Sequence, residues 1–199
     1  MEINVETCYE KMFSELKKIY PELSPELQQK IREHCKLLYF PKGSVILDYD
    51  KTCKACYFAV QGLVISRFIH NGREKVSWFM GAGDIIISVA SFFRQKASDE
   101  KLVALIDTVF ICMDNDALQQ IYKEHLEFNV IGRRLTEEYY IRSMERNRWV
   151  NYSAKERYNL LMQQYPLLFQ HARNEDLASY LGMDKATLCR EKKKSARGK

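Results

Sequence analysis

The chain has 199 residues, 46% of them hydrophobic and 29% charged, enough for one large domain or two small ones with a substantial core. Its formal net charge is +5, and no apolar run approaches the ~20 residues needed to span a bilayer. Met1 to Glu10 carries three acids (Glu2, Glu6, Glu10) and no basic residue, unlike the start of a secretion signal, so a cytoplasmic location without a membrane partner is expected.

Residues 6–19 read as a helix, because Met12, Phe13, Leu16 and Ile19 recur at helical spacing. Ser24-Pro25-Glu26 marks the start of a second helix, with Ser as cap and Pro in the first position, running to about Cys35. From Leu38 the pattern changes to short strands. Tyr39 to Leu47 is strand, turn, strand, and Cys56 to Gly62 is a strand closed by a glycine. Leu63–Ile69 and Glu74–Met80 form a hairpin with Asn71-Gly72 at its tip. Gly81 to Asp84 is a turn leading into a strand over Ile85–Val89, and Val103–Met113 supplies the last strands. Short strands at near-regular spacing argue for a small antiparallel barrel or jelly roll.

After Asp114 the periodicity is helical again. Ala117, Leu118, Ile121 and Tyr122 mark a short helix, and a longer one spans about 127–150. On the longer helix Phe128, Ile131, Leu135 and Tyr139 form an apolar stripe, which suits a dimer seam. The alternative is packing on the chain's own barrel. Ser153 to Tyr165 reads as a further amphipathic helix, closed by Pro166.

Glu175 to Arg190 has the spacing of a helix-turn-helix, which places one helix in the DNA major groove. Leu177 and Leu181 share a face, Gly182 suits a left-handed turn, Asp184 is a cap, and Leu188 pins the second helix. Lys185, Ala186, Thr187, Cys189 and Arg190 are then left outside. Lys185–Lys199 contains seven basic residues against one acid, Glu191, leaving residues 1–184 close to neutral. Positive charge segregated onto the DNA-reading end is what phosphate attraction requires. At position 191 the pattern calls for an apolar anchor and finds Glu191, so Leu188 alone is expected to hold the second helix. No wing is expected after it.

The six cysteines include a Cys53-x-x-Cys56 pair, but no second pair at zinc spacing accompanies it, so no metal site is expected. Cys56 and Cys112 read as small core residues. The histidines, His34, His70, His125 and His171, are scattered, and no catalytic motif surrounds them, so no catalytic residues and no enzyme are expected.

With barrel, long helix and helix-turn-helix in this order, the chain resembles the Crp/Fnr family of bacterial transcription regulators. The resemblance is carried by Phe40-Pro41-Lys42-Gly43-Ser44-Val45-Ile46, by Tyr57 to Val64, by Gly83-Asp84 where the family has Gly-Glu, and by Ser153 to Pro166. The implied fold class is α+β: an N-terminal antiparallel β-roll of the cyclic-nucleotide-binding type with flanking helices (1–126), a long dimerisation helix (127–150) and a C-terminal helix-turn-helix lacking an evident wing (151–199). The implied ligand pocket involves Gly83, Asp84, Ile85, Glu100, Lys101 and Leu102. Where cyclic-AMP-binding members place an Arg for the cyclic phosphate, this chain has Glu100, so cyclic AMP is not expected as a ligand. Cys8 alone does not make the cysteine cluster of the oxygen-sensing branch. The resemblance implies duplex DNA, a second copy of the chain, RNA polymerase and an unidentified small molecule as partners. Lys185 and Arg190 would read bases, Thr187 would contact phosphate, and Lys192, Lys193 and Lys194 would supply nonspecific attraction. The competing reading is a small-molecule sensor whose output is a protein contact.

Overall fold

The computed structural model describes residues 4–197. Two helices open the chain, α1 (Val5–Ile19) and α2 (Pro25–His34). Each has a side-chain cap: Thr7 N–H donates to Asn4 Oδ1 (3.1 Å), and Leu27 N–H donates to Ser24 Oγ (3.1 Å). Strands β1 (Cys35–Phe40), β2 (Val45–Leu47), β3 (Ala55–Gln61), β4 (Leu63–His70), β5 (Arg73–Gly81), β6 (Ile85–Ile86), β7 (Glu100–Ala104) and β8 (Thr108–Asp114) follow. They form two four-stranded antiparallel sheets, β1-β8-β3-β6 and β2-β7-β4-β5. Asn71 and Gly72 both have positive φ (51° and 70°), the backbone of the hairpin turn that the Asn-Gly pair encodes.

Two helices were not legible in the sequence, a single turn over Leu168–His171 and one beside the barrel. The strand expected over Ile85–Val89 stops at Ile86, and α3 (Val89–Arg94) follows. The turn holds Phe92 in the core, and buried serines tie its flanks: Ser98 Oγ donates to Ser88 Oγ (2.8 Å), and Cys53 N–H donates to Ser91 Oγ (2.9 Å).

Each sheet has a different cover. Helices α1 and α2, with α4 (Asn115–Glu124) and α5 (Leu126–Arg148), pack on the first sheet through Met12, Phe13, Leu16, Leu27, Ile31, Leu118, Ile121, Phe128 and Ile131. The second sheet is covered by the C-terminal helices. Leu63, Ile65, Val76 and Phe79 join Trp149, Tyr158, Leu161, Leu177, Ala178, Tyr180, Leu181 and Leu188 in one buried cluster. Alternation along β4 is direct: Val64 belongs to the first core, and its neighbours Leu63 and Ile65 to the second. Ser77 is an extra residue on β5, because Ser66 pairs with Trp78 while Arg67 pairs with Val76. That bulge puts Val76 and Phe79 on the same face, although their odd spacing would otherwise separate them.

The apolar stripe of α5 faces the chain's own barrel, which corrects its expected role as a dimer seam. Phe128 and Ile131 are buried, Leu135 packs against the same core, and the Tyr139 hydroxyl accepts a hydrogen bond from Ile85 N–H (2.7 Å). The free apolar side of α5 carries Tyr140, Ile141 and Met144, which are 67%, 52% and 44% exposed. Burial pushes the thiols of Cys56 and Cys112 up to about 12 and about 11, so both stay protonated in neutral solution.

Candidate nucleic-acid interface and sensor cleft

A 3-10 turn (Trp149–Asn151) leads to α6 (Ala154–Gln164), then to α7 (Leu168–His171), α8 (Asn174–Leu181) and α9 (Lys185–Arg197). Ser153 and Glu156 close a capping box at the start of α6. The turn between α8 and α9 is built as its residue types require. Gly182 has φ 61°, Gly182 N–H donates to Ser179 O (3.2 Å), and Met183 N–H donates to Ala178 O (3.0 Å), the two bonds of a Schellman turn. Asp184 caps α9, accepting from Thr187 N–H (2.7 Å) and Thr187 Oγ1 (2.9 Å). The hydrogen bonds from Thr187 hold its carboxyl below the usual value. Leu188 is fully buried between the helices. Arg157 of α6 supplies a clamp that no local pattern announces: Nη1 donates to the carbonyls of Leu181 (2.6 Å) and Gly182 (3.1 Å).

The structure sorts the candidate DNA residues into four kinds. Arg190 and Lys193 are exposed, one turn apart, and Arg190 Nη2 donates to Thr187 Oγ1 (2.8 Å). Lys185 and Lys194 are exposed but already ion-paired, with Glu175 and with Glu191 (2.8 Å). Lys192 turns inward: its ammonium donates to Asn174 Oδ1 (2.6 Å) and lies 5.4 Å from the Phe169 ring centre. Thr187 is half-buried and occupied in the cap. The inward Lys192 also corrects the expectation that Leu188 alone anchors α9. Glu191 is buried against the body of the protein, its carboxylate reaching Lys194.

A cleft of about 1360 Å³ is lined by α3, parts of β4, β5 and β7 and most of the length of α5, and it extends to Met12 and Tyr122 and to Trp149 and Tyr180. Asp84, Ile85 and Glu100 line it. Gly83 (φ 89°) makes the turn before them. The other two candidate pocket residues do not contribute. Lys101 points to the outer face, where its ammonium meets Asp48 Oδ1 (3.0 Å), and Leu102 is buried in the core. Strand alternation is the reason: Glu100 and Leu102 point inward, so Lys101 cannot. Glu100 Oε1 accepts a hydrogen bond from Ser66 Oγ (2.9 Å). Asp84 joins barrel to helix: Oδ2 accepts from Gly81 N–H (2.8 Å), and Oδ1 accepts from Arg142 Nη1 (3.0 Å) and the Tyr139 hydroxyl (3.4 Å). Burial, then the Asp84 charge, pushes the Tyr139 phenol upward.

The barrel and the helix-turn-helix are bonded to each other by residues the sequence reading did not single out. Arg67 Nη2 of β4 donates to Asp176 Oδ2 of α8 (2.9 Å), with both side chains buried. Arg173 completes the pair with two bonds to Asp176 (2.9 and 3.1 Å). Val76 N–H donates to Ser179 Oγ (3.1 Å), and Phe79 meets Tyr180 edge-on at 5.0 Å. Arg146 of α5 lies over the Tyr180 ring (4.3 Å) and the Trp149 ring (4.9 Å) and donates to Tyr180 O.

The fold defines a class: an antiparallel β-roll of the cyclic-nucleotide-binding type carrying a helix-turn-helix. Residues 37–125 match the family model of the cyclic nucleotide-binding domain. Over most of the chain the fold is shared with several solved bacterial regulators. It resembles the catabolite activator protein of Thermus thermophilus (18% identity, 92% of this chain and 87% of that one, TM-score 0.55). It also resembles FixK2 of Bradyrhizobium japonicum (17%, 82% and 86%, 0.67). The c-di-GMP-responsive global regulator CLP of Xanthomonas campestris is similar as well (15%, 88% and 93%, 0.63). At these identities the likeness is one of fold. A comparison with curated protein sequences gives no match. No helix among the described residues is long and apolar enough to cross a membrane.

Proposed function

We propose that this chain is a homodimeric, sequence-specific DNA-binding regulator of transcription acting in the cytoplasm, with RNA polymerase as a downstream partner. One observation carries the reading. A helix-turn-helix with both turn bonds, an Asp184 cap and a buried Leu188 presents Ala186, Arg190 and Lys193 together on the exposed side of α9. That face suits the major groove, with Arg190 reading guanine and Lys193 meeting phosphate. Tyr140, Ile141 and Met144 give α5 an apolar side for a second copy, which a two-fold operator needs. The cleft is the sensor site, and cyclic AMP is not its ligand. Three arginines face five carboxylates in its wall, and Glu100 stands where a cyclic phosphate would need a cation.

The test is selection of bound sequences from a random duplex pool across a salt series. An enriched palindrome with half-sites about one helical turn apart supports the reading. Salt-sensitive binding with no enriched sequence refutes sequence-specific regulation and leaves only a basic surface.

A further inference from the structure

The chemistry of the cleft wall is more specific than its shape. On the inner face of the second sheet, Glu100 of β7 is paired with Phe68 of β4, and Ser66 of β4 is paired with Trp78 of β5. All four side chains line the cleft. Paired residues share a face with Cβ atoms about 5 Å apart, and β4 lies between β7 and β5, so the four form a row with the carboxylate at one end beside Phe68 and Trp78 at the other beside Ser66. Glu100 is half-buried, and the described residues offer it no cationic partner. The other acids there are differently placed: Asp84 and Glu138 share Arg142, while Asp99 and Glu145 are exposed. Arg146 is used on Tyr180, and Arg94 is exposed on the last turn of α3.

An unpaired carboxylate beside Phe68, with Trp78 further along the same face, attracts positive charge twice, through the ion pair and through the ring quadrupoles. The same wall repels a phosphate. We infer that the cleft binds an organic cation with a flat apolar body, its charge on Glu100 and its plane against Phe68 and Trp78. This rests on the reading of the cleft as the sensor site and supplies its ligand class.

The experiment is a tryptophan-fluorescence titration of the full chain near pH 8 with 1-methylquinolinium, its neutral counterpart quinoline, and cyclic AMP. The cation is expected to bind at least about tenfold more tightly than quinoline, and cyclic AMP more weakly than either. Glu100→Gln should remove the preference for the cation while quinoline binding stays, and Phe68→Leu should reduce it; melting curves confirm that both variants are folded. Equal binding of cation and quinoline overturns the inference. So does a preference that survives Glu100→Gln, tighter binding of cyclic AMP, or no binding of the cation at all. Sequence selection on the same preparation separates the two readings. An enriched operator without cation binding removes this inference alone, and cation binding without an operator removes the DNA-regulator reading alone.

Discussion

Ser66 and Arg67 are consecutive residues of β4 that point through opposite faces of one sheet. Ser66 donates to Glu100 in the cleft, and Arg67 donates to Asp176 in the first helix of the helix-turn-helix. The wall of the cleft and the anchor of the helix-turn-helix are therefore one peptide bond apart. The β5 bulge at Ser77 lies directly opposite, where a strand can be re-aimed at low cost.

The Arg67–Asp176 pair is buried, so removing one partner leaves the other desolvated. Asp176→Ala is expected to destabilise the chain by about 3 kcal/mol, measured by urea unfolding. The double variant Arg67→Met, Asp176→Leu should recover much of this, since it leaves no buried charge unpaired, and Arg173, freed from Asp176, is exposed to solvent. A loss under about 1 kcal/mol for the single variant would show that the two surfaces do not meet as described.

The same pair sets an acid response. Burial by itself would raise the Asp176 pKa, but hydrogen bonds and charge from Arg173 and Arg67 outweigh it and hold it below 3.8. A depressed carboxyl contributes stability above its unfolded value and loses it as pH falls through the folded value. Melting temperature should therefore drop in acid below about pH 4. Asp176→Asn should be less stable at pH 7 and show a shallower acid limb. A parallel limb in the variant would assign the acid sensitivity to other groups.

Gly182 has a left-handed backbone, and an added Cβ would lie 3.1 Å from the Arg157 guanidinium. Gly182→Ala should cost about 1–2 kcal/mol, and Asp184→Ala about 1 kcal/mol through the lost cap. Hydrogen exchange should quicken in α8 and α9 while β3 and β8 stay protected. Uniform quickening would mean that the turn is not a local element.

On DNA, the residues of α9 should separate by direction. Arg190→Ala should cost about 1–3 kcal/mol on the selected operator and little on random duplex. Lys193→Ala should weaken both and flatten the salt slope. Lys192→Ala should leave the salt slope unchanged and lower the melting temperature, because its ammonium is bonded to Asn174 inside the protein. Binding isotherms at several salt concentrations check all three.

The two sides of α5 make opposite predictions in sedimentation. Ile141→Glu with Met144→Glu should give a folded monomer, since both positions are exposed. Ile131→Glu should unfold the β-roll, because Ile131 is fully buried. A dimer that survives the first change places the two-fold interface elsewhere.

The sequence by itself determined what depends on near neighbours. Helical spacing, Ser24-Pro25, Asn71-Gly72, the Ser153 capping box and the Gly182-Asp184 corner act within a turn or two, and each forms as its residue types require. The order barrel, long helix, helix-turn-helix followed from these pieces. Tertiary structure decided which faces meet. α5 carries apolar residues on two sides, Phe128, Ile131, Leu135 and Tyr139 on one and Tyr140, Ile141 and Met144 on the other, so periodicity cannot say which side takes the barrel. Lys101 beside Glu100 looked equally placed for the pocket until β7 paired and alternation turned it outward. Arg67 and Asp176 lie 109 positions apart, and the charges of Lys185, Lys192 and Lys194 look alike in sequence. Which of them is free for DNA depends on Glu175, Asn174 and Glu191, and those contacts exist only once the helices have packed.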